Sequence, residues 1–160
     1  MKQVYLFLAD GFETIEALTV VDLLRRAGVS IKTVSISEEK EVMSAHQIQV
    51  KADDVFSECD FSDASMLVLP GGMPGTLNLE KHERLSQLID EAVQKGIKLA
   101  AICAAPSILG KKGLLKGRKA TAYPGFEEQL VGAMVKDQAV CVDGNYITSR
   151  GMGTTIDFAM

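Results

Sequence analysis

The chain has 160 residues, of which 47% are hydrophobic, and its formal net charge is −4. These values predict one globular domain with a core of its own, and they exclude a disordered chain. Nucleic acid is not an expected partner, because phosphate contacts need clustered lysine and arginine. A membrane is not expected either, since no apolar run approaches the length of a membrane span.

Short apolar runs alternate with longer helical patterns along the chain. The predicted elements, in chain order, are a strand at Val4–Ala9, a helix at Ile15–Ala27, strands at Ile31–Ile36 and Met66–Leu69, a helix at Leu85–Val93, a strand at Leu99–Ile102, a helix from about Pro106, a strand at Lys119–Ala122 and a hairpin around Asp143 and Gly144. Nearly continuous apolar strands that alternate with helices are typical of a parallel sheet covered on both faces. The predicted fold class is therefore α/β with a mainly parallel sheet.

Ligands of such sheets bind outside the carboxyl ends of the strands. Three predicted strands are followed there by residues 10–16, by Pro70-Gly71-Gly72 and by Cys103-Ala104-Ala105-Pro106. Cys103 lies where a buried strand turns into a helix, and the helix N-terminus favours a thiolate. This arrangement resembles the nucleophile elbow of hydrolases, a sharp strand-to-helix turn that exposes the nucleophile. The alternative is an inert, buried cysteine.

A carboxyl group early in the first helix is the candidate partner of Cys103. Glu16 and Glu13 both fit, and their spacing alone does not choose between them. A carboxyl group buried beside the thiol would keep its proton near neutral pH and could transfer it to or from a substrate.

The turn after the third predicted strand offers backbone N–H groups to a ligand. Gly71 and Gly72 allow close approach to their backbone, and the N–H of Ala104 would complete an oxyanion site. A plain turn is the alternative. Neither a dinucleotide-binding nor a P-loop motif is present, and the cysteines lack zinc-site spacing. The sequence therefore gives no support for a dinucleotide site, a P-loop or a zinc site.

The remaining tyrosine, histidine and cysteine residues are weaker candidates for the site. Tyr123 follows a predicted strand and either lines the crevice or simply packs. His46 lies between strands and His82 opens a polar helix, so neither position implies a partnership with Cys103. Of the other two cysteines, Cys141 is a predicted core residue and Cys59 lies in a loop between carboxylates, so neither is a candidate nucleophile. An odd number of cysteines without a signal peptide predicts a reducing, cytoplasmic location.

Four segments together resemble the ThiJ/PfpI family, in its parkinsonism-associated deglycase branch. They are Ala9-x-Gly11-x-Glu13-x-x-Glu16, Val68-Leu69-Pro70-Gly71-Gly72, Ala100-Ala101-Ile102-Cys103-Ala104-Ala105-Pro106 and Thr148-Ser149-Arg150-Gly151-x-Gly153-Thr154. The resemblance implies a flavodoxin-like three-layer sandwich, related to class I glutamine amidotransferases, that spans residues 1–160 and forms a homodimer. It also implies that the protein uses no metal and no organic cofactor. It implies that Cys103 is the nucleophile, Glu16 its protonated partner, and the backbones of Gly72 and Ala104 the oxyanion donors.

Two departures from the family pattern bear on activity. The protease-like branch has a histidine directly after its cysteine, where this chain has Ala104, which argues against proteolysis. The closest branch often has a histidine before the proline that matches Pro124. Tyr123 occupies that position here, so either Tyr123 replaces the histidine or imidazole-assisted proton transfer is absent. Relatives also continue beyond the helix that begins at about Thr154, so we expect either a fragment or a domain that lacks a covering element.

Three functions are compatible with these residues. The favoured prediction is a cofactor-independent cysteine enzyme that acts on a small aldehyde or a glycated substrate. It would be a glyoxalase that converts methylglyoxal to lactate, or a deglycase that removes early glycation adducts. The alternatives are an oxidative-stress protein, a redox sensor or chaperone, that uses oxidation of the same cysteine, and an inactive structural relative.

Overall fold

The computed structural model describes residues 2–160. Across them the strands are β1 Gln3–Leu8, β2 Ile31–Ser35, β3 Glu41–Met43, β4 Gln49–Lys51, β5 Asp54–Val55, β6 Ala64–Leu69, β7 Lys98–Ile102, β8 Lys119–Ala120, β9 Met134–Val135, β10 Val140–Asp143 and β11 Tyr146–Ser149. The α-helices are α1 Thr14–Arg26, α2 Gly75–Lys81, α3 Glu83–Gln94, α4 Pro106–Lys111 and α5 Thr155–Ala159. Short 3₁₀ turns cover Phe56–Glu58, Glu127–Gln129 and Met152–Thr154.

The central sheet has seven strands in the order β10-β11-β7-β6-β1-β2-β5. All neighbouring pairs are parallel except β10 and β11, which form an antiparallel hairpin with Val140 opposite Ser149. The chain leaves β1 in one direction toward β2 and β5, and then returns to the other side of β1 at β6. That reversal opens a crevice at the carboxyl ends of β1, β6 and β7, where a doubly wound sheet binds its ligands.

Along each central strand, alternate side chains are buried on opposite faces of the sheet, each against its own layer of helices. Tyr5 and Phe7 of β1 pack in one core with residues of α2, α3 and α4, whereas Leu6 and Leu8 pack in the other core with residues of α1. Residues of α5 border the second core. This arrangement confirms the predicted three-layer sandwich with a mainly parallel sheet.

The outer parts of the fold differ from the sequence expectation. The strand predicted at Lys119–Ala122 is confirmed only over Lys119–Ala120, where β8 pairs with β9 in a separate two-stranded sheet. The β3–β4 hairpin was not predicted, because its strands have only three residues each and expose most of their side chains. None of the described helices is both long enough and apolar enough to cross a membrane.

Candidate active site

Cys103 lies on the sharp turn between β7 and α4. Its φ of 66° falls in the left-handed region, which costs about 1–3 kcal/mol for a residue with a side chain. The turn is held on both sides, because the Cys103 N–H donates to the Ser149 carbonyl at 3.0 Å and the Cys103 carbonyl accepts from the Tyr123 N–H at 2.8 Å. The surrounding backbone thus fixes a strained conformation that presents the thiol at the crevice.

Glu16 is the carboxyl group beside this thiol. It lies in the first turn of α1 and is 2% exposed. Its Oε1 accepts a hydrogen bond from the Gly71 N–H at 3.0 Å. The Cys103 side chain lies beside the same carboxyl group, since Glu16 Oε1 and Cys103 Cβ are both within 2.7 Å of the point where a Cβ on Gly71 would stand. Three segments that are far apart in the sequence therefore meet around one carboxyl group.

Burial changes the protonation chemistry of both groups. Burial raises the pKa of Glu16 to about 7, against the opposing effect of the Cys103 thiol and of the Gly71 N–H. Burial, with the Glu16 carboxylate next, raises the pKa of Cys103 to about 12. The expectation that the helix N-terminus favours a thiolate therefore does not hold for the resting site. The N–H groups of Ala104 and Gly72 act in that direction but are outweighed. Ionisation of the thiol becomes easier once Glu16 carries a proton, because the repulsion between the two anions is then gone.

The three predicted backbone donors divide into two kinds. The N–H groups of Gly72 and Ala104 act on the Cys103 thiol and lower its pKa. The Gly71 N–H is already used by Glu16, so in this structure it orients the carboxyl group. Oxyanion stabilisation stays a prediction for all three residues.

Gly71 is required for the close approach of Glu16 and Cys103. A Cβ at this position would lie 2.6 Å from Glu16 Oε1 and 2.7 Å from Cys103 Cβ. We expect Gly71→Ala to lower the free energy of unfolding by about 1–3 kcal/mol, measured by urea denaturation followed by circular dichroism. The matched control is Gly153→Ala, because a Cβ there meets no atom within 4 Å. It should stay within about 0.5 kcal/mol of the wild type, and equal losses in the two variants would contradict this account.

Tyr123 borders the turn without a visible catalytic contact. Its side chain is 49% exposed, and its ring lies against Gly151, where a Cβ would be 3.3 Å from Tyr123 Cδ1. Its backbone supports Cys103 through the hydrogen bond described above. That Tyr123 takes the place of a catalytic histidine remains a prediction.

Glu13, the other carboxyl group that fitted the spacing, faces a histidine. Glu13 Oε2 lies 3.6 Å from Nδ1 of His46, and the Glu13 side chain is 14% exposed. No pattern in the sequence indicates this pair, because the β3–β4 turn that carries His46 is remote from Glu13 along the chain. Only a predicted hairpin at residues 41–51 could have suggested it.

The other histidine and cysteines have structural roles. His82 accepts a hydrogen bond from the Leu85 N–H at 3.0 Å and so caps α3. Cys141 is buried, as predicted. The pKa of Cys59 is raised, first by burial and then by the Asp54 carboxylate. Among residues 2–160 no three His, Cys, Asp or Glu side chains are grouped so that they could hold a metal ion.

Comparison with known proteins identifies the family. The sequence profile of the DJ-1/PfpI family matches residues 2–160. The chain is 38% identical to the DJ-1 homologue A of Arabidopsis thaliana, over 99% of the chain and 41% of that relative. It is 33% identical to a deglycase from Pyrococcus horikoshii, over 94% of the chain and 90% of that protein. A solved structure of oxidised DJ-1 from Toxoplasma gondii superposes with a TM-score of 0.94 at 34% identity, over 99% of this chain and 87% of that one.

The matches differ in how much of each relative they cover. The chain spans 41% and 36% of the lengths of the two Arabidopsis relatives, but 86% of the dj-1beta protein of Drosophila melanogaster. The nucleophile turn, the buried glutamate and the profile match over nearly the whole chain lead to one assignment. The chain belongs to the DJ-1/PfpI family.

Proposed function

We propose that this protein is a cofactor-independent cysteine enzyme that acts on reactive carbonyl compounds, with Cys103 as nucleophile and Glu16 as the acid–base group. The observation that carries the proposal is the buried Glu16 carboxyl group beside the Cys103 thiol, where the Gly71 N–H holds it. Burial raises the pKa of this carboxyl group to about 7. A general acid–base group works best when its pKa lies near the operating pH. The deglycase from Pyrococcus horikoshii supports the same class of substrate.

The proposed reaction begins with addition of the thiol to an aldehyde. As the sulfur attacks the carbonyl carbon, the Glu16 carboxylate accepts the thiol proton and the carbonyl electron pair moves to oxygen. The N–H groups of Gly72 and Ala104, which lie beside the sulfur, can stabilise the resulting oxyanion. Return of the proton from Glu16 to that oxygen gives a hemithioacetal.

For methylglyoxal, two further steps complete the reaction. Glu16 removes the proton from the carbon bonded to sulfur, the enediol is reprotonated at the neighbouring carbon, and a thioester results. Water then cleaves the thioester, which releases lactate and restores the thiol. The net reaction converts methylglyoxal and water to lactate, so no oxidant or reductant is needed. For an early adduct of an amine, the thiol displaces the amine from the aldehyde-derived carbon. The C–S bond forms as the C–N bond breaks, Glu16 accepts the thiol proton and passes a proton to the departing amine, and the same hemithioacetal results.

The direct test is incubation of the purified protein with methylglyoxal. Loss of the aldehyde and formation of lactate are followed together, and early adducts of methylglyoxal with N-acetylcysteine or N-acetyllysine are offered in parallel. Turnover of methylglyoxal establishes a glyoxalase, and release of free amine or thiol only from the adducts establishes a deglycase. Absence of both reactions overturns the proposal.

Oxidation of Cys103 is the second candidate function. It is favoured by the relative from Toxoplasma gondii that was solved in an oxidised form. Protonated Glu16 could donate a hydrogen bond to a sulfinate at position 103. Treatment with hydrogen peroxide, followed by mass spectrometry, should then oxidise Cys103 before Cys59 and Cys141.

We also propose that the protein is a homodimer. Three apolar side chains on the first turn of α1 and on the β3–β4 hairpin are exposed, namely Ile15 at 47%, Met43 at 41% and Ile48 at 50%. Neighbouring apolar side chains at a surface often mark an interface. We expect light scattering to give twice the mass of one chain, and Ile48→Glu to shift the protein to the monomer. A wild-type monomer at micromolar concentration would contradict this.

A further inference from the structure

A cavity apart from the candidate active site lies at the same edge of the sheet. Leu8 and Ser35, the last residues of β1 and β2, line it together with residues of α2. Its volume is about 430 Å³, which is within the range of small-molecule sites. Neither Cys103 nor Glu16 is among the lining residues, so this cavity is separate from the crevice at the thiol.

The cavity also lies outside the surface that we propose as the dimer contact. Val42 of β3 lines it, but Ile15, Met43 and Ile48 do not. Successive side chains of a strand point to opposite faces, so Met43 points away from the side on which Val42 meets the cavity. Two chains can therefore join through those three apolar side chains without covering the cavity.

Apolar side chains form the inner wall of the cavity. Leu8, Ala9 and Val42 are buried, and Ile36 is half-buried. Contact with such a wall removes apolar surface of a ligand from water, which favours binding. The inner wall therefore suits the hydrocarbon part of a small molecule.

One positive charge stands at the rim, on Lys81 in the last turn of α2. Lys81 is exposed, and it forms no ion pair with any of residues 2–160. The neighbouring wall residue is His82, whose pKa is lowered by burial, so that imidazole is neutral at neutral pH. The Lys81 ammonium group is therefore available to a carboxylate.

One negative charge stands at the opposite end of the rim, on Asp10. Its Oδ1 accepts a hydrogen bond from the Met43 N–H at 3.0 Å, and no lysine or arginine of the described chain pairs with its carboxylate. Asn78 Nδ2 donates to the Asp10 carbonyl at 2.9 Å, which fixes Asp10 beside the middle of α2. Asn78 precedes Lys81 by three residues, a rise of about 4.5 Å along a helix. The two opposite charges therefore border one cavity without neutralising each other.

We propose that this cavity binds a small dipolar molecule that carries both an ammonium and a carboxylate group, namely an α-amino acid with an apolar side chain. The Asp10 carboxylate binds the ammonium group, the Lys81 ammonium group binds the carboxylate, and the apolar wall contacts the side chain. A molecule with only one of the two charges leaves the other rim residue without a partner. The inference does not rest on the function proposed above, because neither Cys103 nor Glu16 lines the cavity.

The test is a titration of the intact, isotope-labelled protein with L-leucine, followed by NMR at the backbone amides of Ala9 and Ile36. We expect saturable shifts with a Kd of about 1 mM, a weak affinity because both charged groups stand at an exposed rim. N-acetyl-L-leucine lacks the ammonium group, and isoamylamine lacks the carboxylate. Each analogue should bind at least about threefold more weakly than leucine, the loss expected for one exposed ion pair.

Two substitutions should separate the two ends of the site. Lys81→Met should weaken leucine binding about threefold and leave isoamylamine binding unchanged, because that ligand has no carboxylate. Asp10→Asn keeps an oxygen for the Met43 N–H, and it should weaken leucine binding but not that of N-acetyl-L-leucine. The matched control is Lys95→Met, since Lys95 is likewise exposed at the end of a helix but does not line the cavity.

The same spectra show whether each variant is folded, so loss of binding is not confused with unfolding. Absence of saturable shifts up to about 50 mM leucine, far above the expected Kd, would overturn the proposal. Equal affinity for leucine and either analogue would also overturn it, as would an effect of Lys81→Met no larger than that of Lys95→Met. Shifts confined to the amides around Cys103 would place the ligand in the other crevice and count equally against it.

Discussion

Replacing Cys103 by serine is expected to abolish turnover of methylglyoxal, with a fall of at least about 10³-fold in kcat/KM. A serine hydroxyl ionises far less readily than a thiol, and the site lacks a group basic enough to activate it. Glu16, with a pKa near 7, can accept a proton from a thiol during attack but is a weak base toward an alcohol. The measurement is lactate formation under single-turnover and steady-state conditions.

Cys59→Ser provides the matched control for this substitution. Cys59 is partly buried and its sulfur donates to the Val55 carbonyl at 3.4 Å, a contact that a serine hydroxyl can also make. We expect full activity and an unchanged melting temperature. Retained turnover in Cys103→Ser, or equal losses in the two variants, would place the chemistry elsewhere in the molecule.

Glu16→Gln is expected to reduce turnover by about 10²–10⁴-fold, the usual contribution of a general acid–base group. The amide keeps the length of the side chain and can still accept the hydrogen bond from the Gly71 N–H. It cannot exchange a proton with the thiol or the substrate. The acid–base step is therefore removed while the geometry of the site is preserved, and rate measurements between pH 5 and 9 should lose the ionisation near pH 7.

The same substitution should stabilise the protein at alkaline pH. The pKa of Glu16 is raised from 4.5 to about 7 on folding, so the folded protein holds this proton more tightly than the unfolded chain. The stabilising contribution of the proton is complete below about pH 4.5 and is lost as the pH rises through 7. At pH 8 the wild type carries a buried carboxylate that Glu16→Gln lacks, which should give the variant an advantage of about 1–3 kcal/mol.

Thermal denaturation at pH 5 and pH 8 separates this effect from a general change in stability. The advantage of Glu16→Gln should be present at pH 8 and nearly absent at pH 5. Glu91→Gln, on the exposed face of α3, should show no such pH dependence. An advantage of equal size at both pH values would mean that Glu16 is not a desolvated carboxyl group.

Much of the central fold could be predicted because the buried strands have nearly unbroken apolar sequences. Met66–Leu69 and Leu99–Ile102 lie inside β6 and β7, and the turn residues after them identified the ligand-binding edge. For the small peripheral sheets, the prediction missed β3 and β4 and made β8 two residues too long. Strands of two or three residues leave little periodicity, and their pairing depends on distant parts of the chain.

The candidate site was predictable only in part. Cys103 could be placed from the junction of strand and helix, but its high pKa could not, because desolvation depends on the surrounding packing. Spacing did not distinguish Glu16 from Glu13. The structure distinguishes them, because Glu16 is buried and accepts a hydrogen bond from the Gly71 N–H, whereas Glu13 is less buried and lies near His46.

The strand order also sets where the molecule can be joined to other molecules. The β10–β11 turn, at Gly144 and Asn145, lies at the start of β7, where the Asn145 carbonyl accepts from the Leu99 N–H at 2.8 Å. Five residues of β7 separate that edge from Cys103, a distance of about 16 Å at 3.3 Å per residue. New chain termini from circular permutation, or a fused reporter, should therefore be tolerated at this turn while the thiol and its neighbours keep their arrangement.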